Sequence, residues 1–119
     1  MIEAYFDGAA WPNPGGRGGF GALIKIDGRL VWEGYGYIGQ GAQISNNVAE
    51  YAGAIVVMRQ LIQRKITKAT IYGDSNMVCR QMNGKGHSFN KQALYYPYYL
   101  LARKYRARLP EIHFEWIPP

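Results

Sequence analysis

The sequence predicts an α/β domain with the element order β-β-β-α-β-α-α-β, and three observations carry that prediction. Ile2, Ala4 and Phe6 alternate with Glu3, Tyr5 and Asp7, the period-two signature of a strand with two distinguishable faces. Asp27-Gly28 is a two-residue hairpin signal between the apolar runs 20–26 and 30–37. Tyr51, Ile55, Met58 and Ile62 fall at i, i+4, i+7 and i+11, one apolar stripe of a helix.

Taken in order, the first strand ends in a carboxylate, Asp7, followed by the Gly- and Pro-rich run 8–19, which reads as a loop. Glycine there lets backbone N–H groups approach a ligand, but the Gly-Lys-Ser/Thr ending of a phosphate-binding P-loop is missing. An Asp beside Gly at a strand end is also an ordinary turn residue. Two strands joined at Asp27-Gly28 follow, and Ser45-Asn46-Asn47 supplies residues able to cap a helix running to about Arg64. Glu50 lies in its first turns, beside the apolar stripe, where it either complements the helix dipole or points along the surface that the helix covers.

Residues 69–72 form a fourth short strand, and Gly73-Asp74-Ser75-Asn76 turns it into a second helix ending near Met82. Asp74 is a second acid at a strand's end, with a helix N-cap as its alternative role. A loop over 83–90 precedes a third helix from about Lys91 to Leu109, in which Pro97 lies in the first turns or makes a kink. Residues 112–117 alternate as a fifth strand.

With 119 residues, 48% of them hydrophobic, one domain spanning 1–119 is expected. No apolar run reaches the ~18 residues of a membrane span, so a soluble, cytoplasmic chain without a membrane partner is expected. The single cysteine, Cys79, excludes an intrachain disulfide and reads as a small buried residue rather than a nucleophile. The net charge of +6 is unevenly placed: residues 1–58 carry three basic and five acidic side chains, residues 59–119 eleven and three. Such asymmetry fits a polyanionic partner, nucleic acid first, or a solvated basic face. Late cations in the third helix also suit its dipole.

If the first and fourth strands are neighbours, Asp7 and Asp74 lie side by side and a helix packed on them brings in Glu50. Three carboxylates without bases between them repel unless cations sit among them, and hard oxygen ligands suit Mg²⁺ or Mn²⁺. The segments Asp7-Gly8-Ala9, Asn13-Pro14-Gly15, Gly19-Phe20-Gly21-Ala22, Ser45-Asn46-Asn47-Val48-Ala49-Glu50-Tyr51, Gly73-Asp74-Ser75 and Phe114-Glu115-Trp116-Ile117-Pro118 resemble, in order and spacing, the type 1 ribonuclease H family. The resemblance covers essentially the whole chain and implies a ribonuclease H-like fold with a five-stranded mixed sheet.

It further implies an endonuclease that hydrolyses the RNA strand of RNA–DNA hybrids with two divalent ions, leaving 5′-phosphate and 3′-hydroxyl ends. Asp7, Glu50 and Asp74 match the metal ligands, with Asp7 bridging both ions. Asn13, Asn46, Asn47 and Asn76 match polar contacts to the RNA strand and its 2′-hydroxyls, and Ser45 matches a DNA-phosphate contact. Arg80, Lys85 and Lys91 are further phosphate candidates. The pattern departs from the family in two places. The basic protrusion between the last helices is replaced by the short 84–90 segment. The sequence also ends before the mobile loop and the helix that in the family carries a fourth metal-binding aspartate. Glu115, His87 and His113 read as surface or packing residues rather than substitutes. A hybrid-binding module without turnover is the alternative function, an integrase- or resolvase-like nuclease a third, and a homodimer is the expected way to complete the site.

Overall fold

The computed structural model describes residues 1–85 and 90–118, so His87 and half of the expected 83–90 loop fall outside the described residues. Its elements are β1 (Ile2–Trp11), β2 (Arg17–Ile26), β3 (Arg29–Gln40), α1 (Asn46–Gln63), β4 (Lys68–Gly73), α2 (Asn76–Met82), α3 (Tyr96–Arg106) and β5 (Glu111–Trp116). The order of elements is the predicted one, and the strands form a single mixed sheet ordered β3-β2-β1-β4-β5. β1 to β3 pair antiparallel, whereas β1–β4 and β4–β5 are parallel.

Three boundaries differ from expectation. The glycine run expected as a loop is mostly strand, with Gly8 opposite Phe20 and Trp11 opposite Arg17. Glycine is disfavoured in a strand interior but not excluded, and ten successive cross-strand partners outweigh its propensity. β3 likewise continues past Tyr37 to Gln40, with irregular register at Gly18/Gly19 and Ile24/Lys25. The third helix begins at Tyr96 rather than near Lys91, which places Pro97 in its first turn, where its missing N–H costs nothing.

One face of the sheet is core: Ala4, Phe6, Ile24, Ile71 and Phe114 pack against Val48, Tyr51, Met58 and Leu61 of α1. The predicted α1 stripe underestimates that helix, because Ala49, Ala52, Ala54 and Val57 are buried as well, while Ile62 is only half-buried. The helix is sandwiched between sheet and α3, so its small residues face neighbours too. Both sheet edges carry protection. On β5, the Asn83 amide exchanges two hydrogen bonds with Phe114, donating to its carbonyl at 2.7 Å and accepting from its N–H at 3.0 Å. On β3, Arg64 reaches the Val31 carbonyl at 3.4 Å. No described helix is long and apolar enough to cross a membrane.

Candidate metal centre

Asp7 lies on β1 one residue past Phe6, which pairs with Gly73, the last residue of β4. The parallel register therefore sets Asp7 and Asp74 together where β4 ends and α2 begins. Asp74 does not cap α2: Ser75 is the N-cap, its hydroxyl accepting from the Val78 N–H at 3.2 Å. The N-cap alternative for Asp74 is thereby displaced, and its exposed carboxylate is left for the site.

Glu50 reaches the same point because α1 lies unusually close to β1. A Cβ on Gly8 would fall 2.3 Å from the Ala49 carbonyl carbon, and one on Gly53 would fall 3.0 Å from the Asp7 carbonyl oxygen. Glycine at both positions permits the contact. The helix-dipole alternative for Glu50 fails in turn: the first turn of α1 contains no acid, and Glu50 is buried against the sheet.

One ligand oxygen from each of Asp7, Glu50 and Asp74 lies within 4.8 Å of the others. Glu50 is 8% exposed, and its buried Oε2 has no hydrogen-bond partner among the described residues. Burial, then the neighbouring Asp74 and Asp7, push its carboxyl up to about 8. Among the described residues no Lys, Arg or His forms an ion pair with any of the three; the ion pairs lie elsewhere, at Met1–Asp27 and His113–Glu115. An unpartnered buried carboxylate oxygen facing two more carboxylates is a site that a hard divalent cation completes, so the donor set fits Mg²⁺ or Mn²⁺.

The Gly73-Asp74 corner is tied down by the end of β5. The Ile117 N–H donates to the Gly73 carbonyl at 2.8 Å, and the Trp116 indole N–H donates to the Asp74 carbonyl at 3.1 Å. Gly8, Gly53 and Trp116 are thus site-building residues that sequence reasoning missed as such. A close approach between elements far apart in the chain leaves no local pattern.

The polar candidates divide. Asn46 Oδ1 accepts from the Ala10 N–H at 2.7 Å, and Asn13 Oδ1 accepts from the Asn46 N–H at 2.9 Å, so the two amides brace the β1–β2 turn against the start of α1. Their Nδ2 groups have no protein acceptor among the described residues, and both residues are exposed. Ser45 is the N-cap of α1 and accepts from Val48 at 3.2 Å. Asn47 and Asn76 are exposed in the first turns of α1 and α2, and Arg80, Lys85 and Lys91 are also exposed. Glu115 pairs with His113 at 2.8 Å and stands apart from the three acids. Cys79 is buried, which with nearby Glu50 pushes its thiol up to about 12, the state of a packing residue. Part of the basic half is structural: the Arg106 guanidinium donates to the carbonyls of Met82, Leu109 and Ile112 at 3.0, 2.7 and 2.6 Å.

Against known proteins, a family model described as reverse transcriptase-like matches residues 5–119. The bifunctional protein Rv2228c of Mycobacterium tuberculosis is 31% identical over 120 residues, which cover 99% of this chain and 31% of that protein. Ribonuclease HI of Halobacterium salinarum is 35% identical over 83 residues, 70% of this chain and 40% of that enzyme. The chain therefore spans less than half the length of these curated relatives. In solved structures, the N-terminal RNase H domain of Rv2228c superposes with a TM-score of 0.86 at 27% identity, covering 99% of this chain and 87% of that one. LC11-RNase H1, solved in complex with an RNA/DNA hybrid, gives 0.83 at 26% identity, covering 99% and 86%. With its strand order, its three gathered carboxylates and a family match over nearly its full length, this chain belongs to the reverse transcriptase-like family and has the ribonuclease H fold.

Proposed function

We propose that this chain is a ribonuclease H, an endonuclease that hydrolyses the RNA strand of RNA–DNA hybrids and leaves 5′-phosphate and 3′-hydroxyl ends. The observation that carries the reading is the carboxylate trio within 4.8 Å, with Glu50 Oε2 buried and unpartnered. Asp7, Glu50 and Asp74 would hold Mg²⁺ or Mn²⁺, two ions with substrate bound. Bound there, divalent ions lower the pKa of attacking water and neutralise charge on the leaving oxygen.

The chain's own residues do the rest. Gly8 and Gly53 hold Glu50 against the two aspartates, and the end of β5 holds the Asp74 corner. The Nδ2 groups of Asn13 and Asn46, with the side chains of Asn47 and Asn76, would donate to the RNA strand and its 2′-hydroxyls, the group that distinguishes RNA from DNA. Ser45 is assigned to a DNA phosphate, and Arg80, Lys85 and Lys91 to backbone phosphates without sequence reading. That LC11-RNase H1 was solved on an RNA/DNA hybrid supports the same substrate class. The domain is read as one unit over 1–119. The homodimer expected from the sequence gains no support from the structure of the single chain.

The test is cleavage of an end-labelled RNA–DNA hybrid with Mg²⁺ or Mn²⁺, with Asp7→Asn as control. Metal-dependent cutting that disappears in Asp7→Asn is the expected result. Hybrid binding without cutting by the unsubstituted chain would replace the enzyme reading with that of a binding module.

A further inference from the structure

On the sheet face opposite α1, the register places Asp7, Gly21 and Tyr35 in one row across β1, β2 and β3, and Ala9, Gly19 and Tyr37 in the next. Trp11 and Arg17 form the row beyond. Tyr35 is 91% exposed, Trp11 83% and Tyr37 65%. None of these three rings has a ring contact or hydrogen bond among the described residues. Arg17, Gly19, Tyr35 and Tyr37 line one groove, and Tyr35 is shared with a second groove that reaches Asp7 and Asp74.

The floor of this surface is glycine without a packing reason at its centre. A Cβ on Gly21 would meet nothing within 4 Å, and its φ lies outside the left-handed region, so a larger residue would fit the fold. What a side chain there would fill is the space between the metal acids and Tyr35. Alternate residues of a strand are about 6.6 Å apart on one face, and their side chains stand roughly perpendicular to the sheet. Tyr35 and Tyr37 are therefore separated by about two base-stacking steps of ~3.4 Å, the gap that one flat base fills with a ring on either side. Arg17 supplies the cation for a phosphate, and apart from it and Asp7 no charge lies on these three rows.

We propose that Tyr35 and Tyr37 form a clamp for one unpaired base of a nucleic-acid strand, with Arg17 on its phosphate and Gly19 and Gly21 as the floor. The clamp lies two interstrand spacings, roughly 10 Å, from Asp7. It thus holds a nucleotide one or two positions from the carboxylates, where a strand leaves the duplex. Aromatic stacking of this kind is tolerant of base identity. The proposal rests on the nucleic-acid reading above and extends it to a single-stranded site.

The test is a titration of the metal-free chain, in EDTA, with labelled oligouridine, oligothymidine and an abasic strand of equal length, followed by fluorescence anisotropy. Expected is tighter binding of the base-bearing strands than of the abasic one. Tyr35→Ala and Tyr37→Ala should each weaken base-bearing strands about tenfold, while Tyr35→Phe, which keeps the ring, binds as the unsubstituted chain does. Thermal melts establish that the variants are folded. A stronger hold on oligouridine or on oligothymidine assigns the clamp to the RNA or the DNA strand. Equal binding of the abasic strand, or binding unaltered in both alanine variants, overturns the proposal. Because no cleavage is read, a chain that cuts no hybrid still tests the clamp, and a chain that cuts hybrid but shows no tyrosine dependence loses only the clamp.

Discussion

The Trp116 indole N–H donates to the backbone carbonyl of Asp74 at 3.1 Å, joining the last residue of β5 to the acid that follows β4. With Ile117 bonded to Gly73 at 2.8 Å, the corner carrying Asp74 is held from both sides of its peptide. Trp116→Phe removes the N–H and keeps most of the ring. It is expected to cost about 1 kcal/mol of stability and to weaken Mn²⁺ binding several-fold, as followed by calorimetric titration. Equal Mn²⁺ affinity in the variant would show that the bond leaves the Asp74 carboxylate unaffected.

Gly8→Ala places a methyl group 2.3 Å from the Ala49 backbone, and neither partner is a side chain able to turn away. A loss of about 3 kcal/mol is expected in urea unfolding, together with lower metal affinity as Glu50 withdraws with α1. Gly21→Ala, which meets nothing within 4 Å, is the stability control and should fall within ~0.5 kcal/mol of the parent.

The raised carboxyl of Glu50 makes stability depend on pH. Its folded value of about 8 exceeds the ordinary 4.5, so the folded chain binds this proton more tightly than the unfolded one. The contribution is complete below the unfolded value and is lost as pH rises from there toward the folded value. The metal-free chain should therefore lose stability, on the order of a few kcal/mol, across this interval. Glu50→Gln should flatten that slope, and saturating Mg²⁺ should reduce it in the parent. Urea midpoints at the two ends of the interval, for both proteins, measure the effect.

Arg106 is tied to three backbone carbonyls, and burial lowers its pKa from the ordinary value. Lysine cannot reproduce three bonds from one planar fork. Arg106→Lys is expected to cost about 3 kcal/mol, whereas Arg108→Lys at an exposed position should be near neutral in thermal unfolding.

The order of elements, the hairpin at Asp27-Gly28 and the identity of the three acids were legible in the sequence, because each is carried by a local pattern or a short motif. Period-two alternation marks a strand whatever it pairs with, and Asp7, Glu50 and Asp74 sit in motifs readable from contiguous residues. Strand pairing across the glycine run was not legible, since local propensity there argues for a loop and only cross-strand partners reverse it. Nor was the choice between two roles for Asp74 and Glu50. Ser75 took the cap, and Gly8 and Gly53 let α1 descend until Glu50 met the aspartates. The clamp rows follow the same rule. Tyr35 and Asp7 are neighbours only because β2 lies between their strands with a glycine at that register, a relation the linear chain does not encode locally. The sequence by itself determined which side chains are the candidates for the chemistry; the tertiary structure decided their distances, burial and partners, because those depend on contacts between residues far apart in the chain.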